Sequence, residues 1–377
     1  MQIWSSTRKR RISVRKLVQE RRRDLRENYV RSTMMKTAFG RVGLRVPAKR
    51  TFERELAELE SMSGRIPDTD EIEKVRSALK KDNNYLVSKA AKLVTDHTLS
   101  ALLPEVLEAY ERFFLDPVKN DPQCWAKNAL VKALVKLEHR NSAEYLRGLR
   151  HHQEEPVWGG QSDTAGALRG TCTHALVVCD DLNNMELLNI LLEPLVDADK
   201  TVRMEAARAI GQIGGTSAVL ILKLRILLRK EESEVMGACF SALLGMEPGN
   251  RESLELVAEF LDDAEEAAAE AAFALAETHE AVALAALIAR RRRGVDTWYG
   301  SVLDIAIALT RLQEGMEYLL GVIESDPRQA ASALEAISRV YHSVEVRLRV
   351  AQSVARAESE RVQAAFQQFF PELRGNS

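Results

Sequence analysis

Cys172, His174 and Cys179 are the nearest approach to a metal-ligand cluster in this sequence, and zinc would be the chemistry. A helix turns about 100° per residue, which places Cys172 and Cys179 on one face and His174 about 200° from Cys172. The donors diverge, and no CxxC pair is present to complete a tetrahedral set. The HHQEE run at His151 to Glu155 also carries ligand-type side chains, but it precedes Pro156 and reads as a solvated connection. No GxSxG, HExxH or phosphate-binding glycine loop occurs. Gly211 to Gly215 supplies glycines, yet they end a predicted helix instead of opening one after a strand. No catalytic, cofactor-binding or metal-binding residue is therefore singled out, although a Ser/His/Asp set gathered from distant segments would leave no local trace.

The aromatic and arginine residues point to binding instead. Trp125, Trp158 and Trp298 are three of four tryptophans in a chain with 6% aromatics. An indole offers a large apolar face and one donor at low conformational cost, which suits it to anchor a partner. Trp158 lies in PVWGGQSDTAGALRG, where Gly159 and Gly160 would let backbone approach a partner closely. Asp163 and Arg169 follow it and could supply polar contacts, or cap and brace the helix they begin. Arg290 to Arg293 forms a four-arginine run closed by Gly294. Cations are favoured at a helix C-terminus, and Arg290 and Arg291 could alternatively meet an anionic group.

The elements that must position these residues are helices. Asp199 to Gly215 reads DKTVRMEAARAIGQIGG. Asp199 is an N-cap candidate, and Val202, Ala206, Ala209, Ile210 and Ile213 recur at helical spacing. Ala206 and Ala207 would let a neighbouring helix come close, and Gly214 and Gly215 close the segment. Asp, Val-Arg, Ala-Ala and Gly-x-Ile-Gly in this order resemble the second helix of a short bacterial HEAT repeat. Similar acidic anchors recur at Asp82, Asp121, Asp163, Asp199, Glu232, Asp263, Asp296 and Asp326, with Glu358 marking an incomplete further unit. Their spacing of 30 to 42 residues is that of helical-pair repeats. The resemblance implies an all-α HEAT-like α-solenoid of about eight helix pairs over residues 70–377, with no β-sheet, second helices lining a concave side, and a C-terminal cap around Phe366, Phe369 and Phe370. Its tryptophans would share the concave rim. It also implies a non-enzymatic protein-binding scaffold or adaptor. HEAT-like DNA-repair glycosylases and bilin lyases share such repeats, so nucleic-acid binding and a bilin-lyase-like role are the alternatives.

Charge divides the chain. Residues 1–50 hold 16 Lys/Arg against 3 Asp/Glu, whereas the remainder holds 37 against 52. Residues 1–69 therefore read as a basic, partly disordered extension with a short helix at Phe52 to Glu60. The extension could contact nucleic acid or an anionic membrane surface, or rest on the acidic body. Met34 and Met35 offer a second translation start that would leave most of it out. No apolar run reaches the ~18 residues of a membrane span, no secretory signal is apparent, and the four cysteines read as reduced core residues. A cytoplasmic protein is expected.

Overall fold

The computed structural model describes residues 46–371. The expectations for the basic segment at residues 1–45 fall outside them. Two compact units divide the chain, Met1–Ala57 and Glu58–Ser377, and α1 (Val46–Ser61) runs across the boundary.

The second unit is predominantly helical. It continues with α2 (Thr69–Leu79), α3 (Asn84–His97), α4 (Leu103–Arg112), the one-turn α5 (Pro117–Asn120), α6 (Trp125–Lys136) and α7 (Ser142–Leu149). A hairpin of β1 (Glu154–Val157) and β2 (Gly160–Asp163) follows, then α8 (Gly166–Ala175), α9 (Asn184–Leu191), α10 (Lys200–Ile213) and α11 (Gly215–Leu227). The remainder is α12 (Ser233–Met246), α13 (Arg251–Ala258), α14 (Glu265–Ala276), α15 (Ala281–Arg292), α16 (Thr297–Leu309), α17 (Gln313–Ser325), α18 (Ala330–Val340), α19 (Val344–Arg356) and α20 (Glu360–Phe369). Among the described residues no helix is long and apolar enough to cross a membrane.

Helices α3, α6, α8, α10, α12, α14, α16, α18 and α20 each pack on the next of that series. We call them the inner row. Each takes one outer helix against it: α2 on α3, α4 on α6, α7 on α8, and so on to α19 on α20. The inner helices begin one to four residues after the acidic anchors read from the sequence.

The physical basis is clearest in α10. Asp199 accepts a hydrogen bond from the Thr201 amide at 2.7 Å, occupying one of the donors left free at a helix start. Val202, Ala206, Ala207, Ala209 and Ile210 are fully buried. A Cβ placed on Gly211 would lie 2.7 Å from the Ala242 Cβ, so α10 and α12 meet where neither carries a long side chain. Gly214, at φ 72° and ψ −168°, ends the helix in a conformation that side-chain-bearing residues rarely take. Gly166 against Asp199 and Gly237 against Glu270 repeat the close approach, and Gly170 lies in ordinary contact range of Thr201 and Glu205. They set neighbouring inner helices side by side in one direction, level to within about a turn.

The expectation of a chain without any sheet is corrected by β1 and β2, which pair antiparallel from Glu154 opposite Asp163 to Val157 opposite Gly160. A turn of Trp158 and Gly159 joins them, with Gly159 at φ 92°. Glu155 turns inward to buried polar partners, while Glu154, Pro156 and Val157 are exposed. The segment entering α8 is thus a hairpin, not a plain loop.

Candidate interaction site

The hairpin stands on a buried polar base. Asp121 is fully buried and accepts from the amides of Ala126 at 2.8 Å and Lys127 at 3.0 Å. The Lys127 ammonium, also fully buried, donates to Asp121 at 3.0 Å and to the Phe113 carbonyl at 3.2 Å. Asn84 of α3 donates to the same carboxylate at 3.1 Å. Gln153 donates to the Asp121 carbonyl at 2.9 Å and to Glu155 at 2.6 Å. Glu155 accepts further from the Gln123 amide at 2.5 Å and the Thr164 hydroxyl at 2.7 Å. Burial alone would raise the Glu155 pKa, but the hydrogen bonds from Thr164, Gln153 and Gln123 outweigh it and hold the carboxyl below its usual range.

Asp163 and Arg169 tie this base to the next helix pair. Asp163 accepts from the amides of Gln153 at 3.0 Å and Ala165 at 2.9 Å, and from Arg169 Nη1 at 2.6 Å. Arg169 is 2% exposed. Its Nε and Nη2 donate to Asp197 at 2.8 and 2.9 Å, and Nη1 also reaches the His151 carbonyl at 3.1 Å. Asp197 in turn accepts from the Asp199 amide at 2.8 Å. Arg169 therefore braces the fold and presents no donor to a partner. Of the two roles the sequence left open, bracing is the one this geometry fits; the Asp197 partner could not be read from the sequence because it lies 28 positions away.

At the tip the situation reverses. Trp158 is 104% exposed, with Val157 half-exposed beside it. Trp125 opens α6 and is 46% exposed, its ring 5.4 Å from that of Tyr85 in the first turn of α3. The base of the hairpin contacts the Asp121–Cys124 turn that leads into Trp125. Trp298, also 46% exposed, opens α16 and stacks on Tyr299 at 6.3 Å. It holds the equivalent place in its own pair, many helices along the row.

The arginine run at the end of α15 divides. Arg290 donates to the Leu261 carbonyl at 3.0 Å, pairs with Asp262 at 2.9 Å, and lies over the Tyr299 ring. Arg291 is buried and bidentate to Asp304 at 2.8 and 3.1 Å, where Ser332 also donates at 2.6 Å. Arg290 and Arg291 are thus engaged within the fold. Cys172 and His174 diverge: the buried thiol sits 3.8 Å from the Tyr110 hydroxyl, while the exposed ring lies 3.9 Å from Glu205. Compared with known protein families and with curated protein sequences, the chain matches no family model and no curated sequence.

Proposed function

We propose that this protein is a non-enzymatic scaffold: a HEAT-like solenoid that holds a protein partner on the rim formed by the first turns of its inner helices. The observation that carries the reading is Trp158, fully exposed on a hairpin whose base is buried and hydrogen-bonded on every side. A free indole costs solubility and stabilises nothing in the isolated chain, whereas on a rigid mount it binds with little further loss of entropy. Trp125 beside Tyr85, and Trp298 farther along the row, are the further contacts of this reading. Asp163 and Arg169 hold the mount in place.

Affinity capture with the wild-type chain and with Trp158→Ala, quantified by mass spectrometry, tests this. A partner should be lost by roughly tenfold or more, in line with the ~2 kcal/mol or more of a hot-spot tryptophan, while the melting temperature stays unchanged. Identical capture by the two proteins would sink the proposal.

A further inference from the structure

Outer helices elsewhere in the row face solvent with charge: α13 exposes Arg251, Glu252 and Glu255, and α17 exposes Glu314 and Glu317. Helix α11 departs from that. Leu220, Leu224 and Leu227 are 62%, 62% and 61% exposed, and Leu228 beside them is half-exposed. At about 100° per residue they centre opposite the buried Ala218, Leu222 and Ile226, so the leucines occupy the side turned away from the core. The preceding outer helix, α9, continues past Leu191 into a 3-10 turn at Pro194–Val196 and carries a similar face. Met185 and Val196 are 56% and 66% exposed, and Leu192 is half-exposed. Its buried Leu187, Leu191 and Leu195 match Ala218, Leu222 and Ile226 in phase, each 31 residues earlier.

Both helices pack on α10, and Arg203 of α10 gathers their ends. It donates to the carbonyls of Asp197 and Ala198, just past Val196, and to Glu231, just past Leu228. The position of α11 that matches Leu192 is Lys223, which lies 3.5 Å from Glu252 of α13, the next outer helix. By the same phase Leu192 is turned toward α11, while Glu193, one residue on, points outward. Glu193 and Lys230, which follows the end of α11, are both exposed and have no ion-pair partner among the described residues.

We propose that this protein pairs with a second copy of itself through the outer faces of α9 and α11, each α9 lying over the partner's α11 about a two-fold axis that runs along the helices. The pairing goes beyond the scaffold reading and uses none of its residues. Burying an aliphatic side chain removes roughly 60–120 Å² from water, so seven of them, a little over half open on average, supply roughly 250–500 Å² per copy. A standard interface of about 800 Å² per partner contains about 450 Å² of apolar surface. The extent of the face therefore suits a stable dimer. Charge selects a second copy as the occupant. The two-fold along the helices sets Glu193 of each copy beside the partner's Lys230, so both unpaired charges are answered twice, as a self-complementary interface requires. A two-fold across the helices would lay α9 antiparallel on α9 and carry Glu193 toward the partner's Glu186, which is exposed in the first turn. That contact is repulsive.

Sedimentation equilibrium of the full chain across the micromolar range tests the pairing. The mass should be twice 42.2 kDa. Leu224→Glu should return it to that of one chain with unchanged circular dichroism, because Leu224 is open to solvent in the single copy. Glu193→Lys and Lys230→Glu should each weaken association roughly tenfold, since an attraction present twice becomes a repulsion, and the two together should restore it. The mass of one chain throughout would overturn the proposal and leave the leucines to a different protein. A dimer that survives Leu224→Glu would form elsewhere, through the rim or the basic N-terminal segment, and would overturn it as well. Dissociation by Leu224→Glu without rescue by the double reversal would overturn the pairing of α9 with α11 in favour of α11 on α11. Partner capture with Trp158→Ala reads the scaffold proposal separately, so either can fail alone.

Discussion

Asp163 shows how one carboxylate fixes the hairpin. Its partial burial opposes ionisation, yet the amides of Gln153 and Ala165 and the Arg169 guanidinium outweigh that and hold its pKa at about 2. The folded value lies below the unfolded ~3.9. Its contribution to stability is therefore complete above about pH 4 and is lost as the pH falls through about 2. Asp163→Asn keeps the shape and removes the charge. It should cost about 1–2 kcal/mol near pH 6, and the difference from wild type should shrink toward zero near pH 2. Urea midpoints of both proteins along that pH range check it, and a difference independent of pH would refute it. The cysteines make a second residue-scale case. Burial pushes the thiols of Cys124 and Cys179 up to about 11 and those of Cys172 and Cys239 up to about 12. A thiol reagent near pH 8 should leave all four unmodified in the native protein and reach them only after unfolding, since the thiolate is the reactive form. Prompt labelling of any of them would contradict this burial.

At the scale of the element, Ala206 lies fully buried where α10 receives its neighbours. Ala206→Glu would bury an unpaired charge there and should lower stability by roughly 3 kcal/mol or more, read as a large fall in melting temperature. An unchanged midpoint would mean that this face is open to solvent. Such helices were legible in the sequence because cap and apolar stripe agree with one another, as at Asp199, where a closing glycine agrees as well, and at Asp296. Agreement in position did not always mean the same role. Glu232 precedes α12 but makes no side-chain cap; its carboxylate pairs with Arg203 instead. The hairpin was harder to see, because two four-residue strands of mostly polar side chains give a weak alternation, and Pro156 reads equally well as a loop. Helix α11 was ambiguous for the opposite reason. Leucine and isoleucine occupy nearly every side of it, so the pattern could not tell buried Leu222 and Ile226 from exposed Leu220, Leu224 and Leu227.

Across the second unit, stability comes from neighbour-to-neighbour contacts, and charge reinforces them at particular seams. Arg169 reaches Asp197, the acid ahead of the next inner helix. Thirty-four residues on, Arg203 repeats the device: its Nε donates to Glu231 at 2.9 Å, its Nη2 pairs with Glu232, and its Nη1 donates to the carbonyls of Asp197 at 2.6 Å and Ala198 at 3.0 Å. Toward the C-terminus Arg291, Asp304 and Ser332 link α15, α16 and α18 in a different way. In a stack where each pair touches only its neighbours, damage at one seam should stay local. Arg203→Met removes the guanidinium and keeps much of the apolar stem, leaving Glu231 without one of its two arginine partners. Its cost should fall on the α10–α12 seam, at about 3 kcal/mol for breaking a buried pair on one side. Hydrogen exchange followed by mass spectrometry should then show faster exchange in α10, α11 and α12, with α16 to α20 protected as in wild type. Equal loss of protection from α3 to α20 would show that the unit opens as a single cooperative block, and the nearest-neighbour account of its stability would fail.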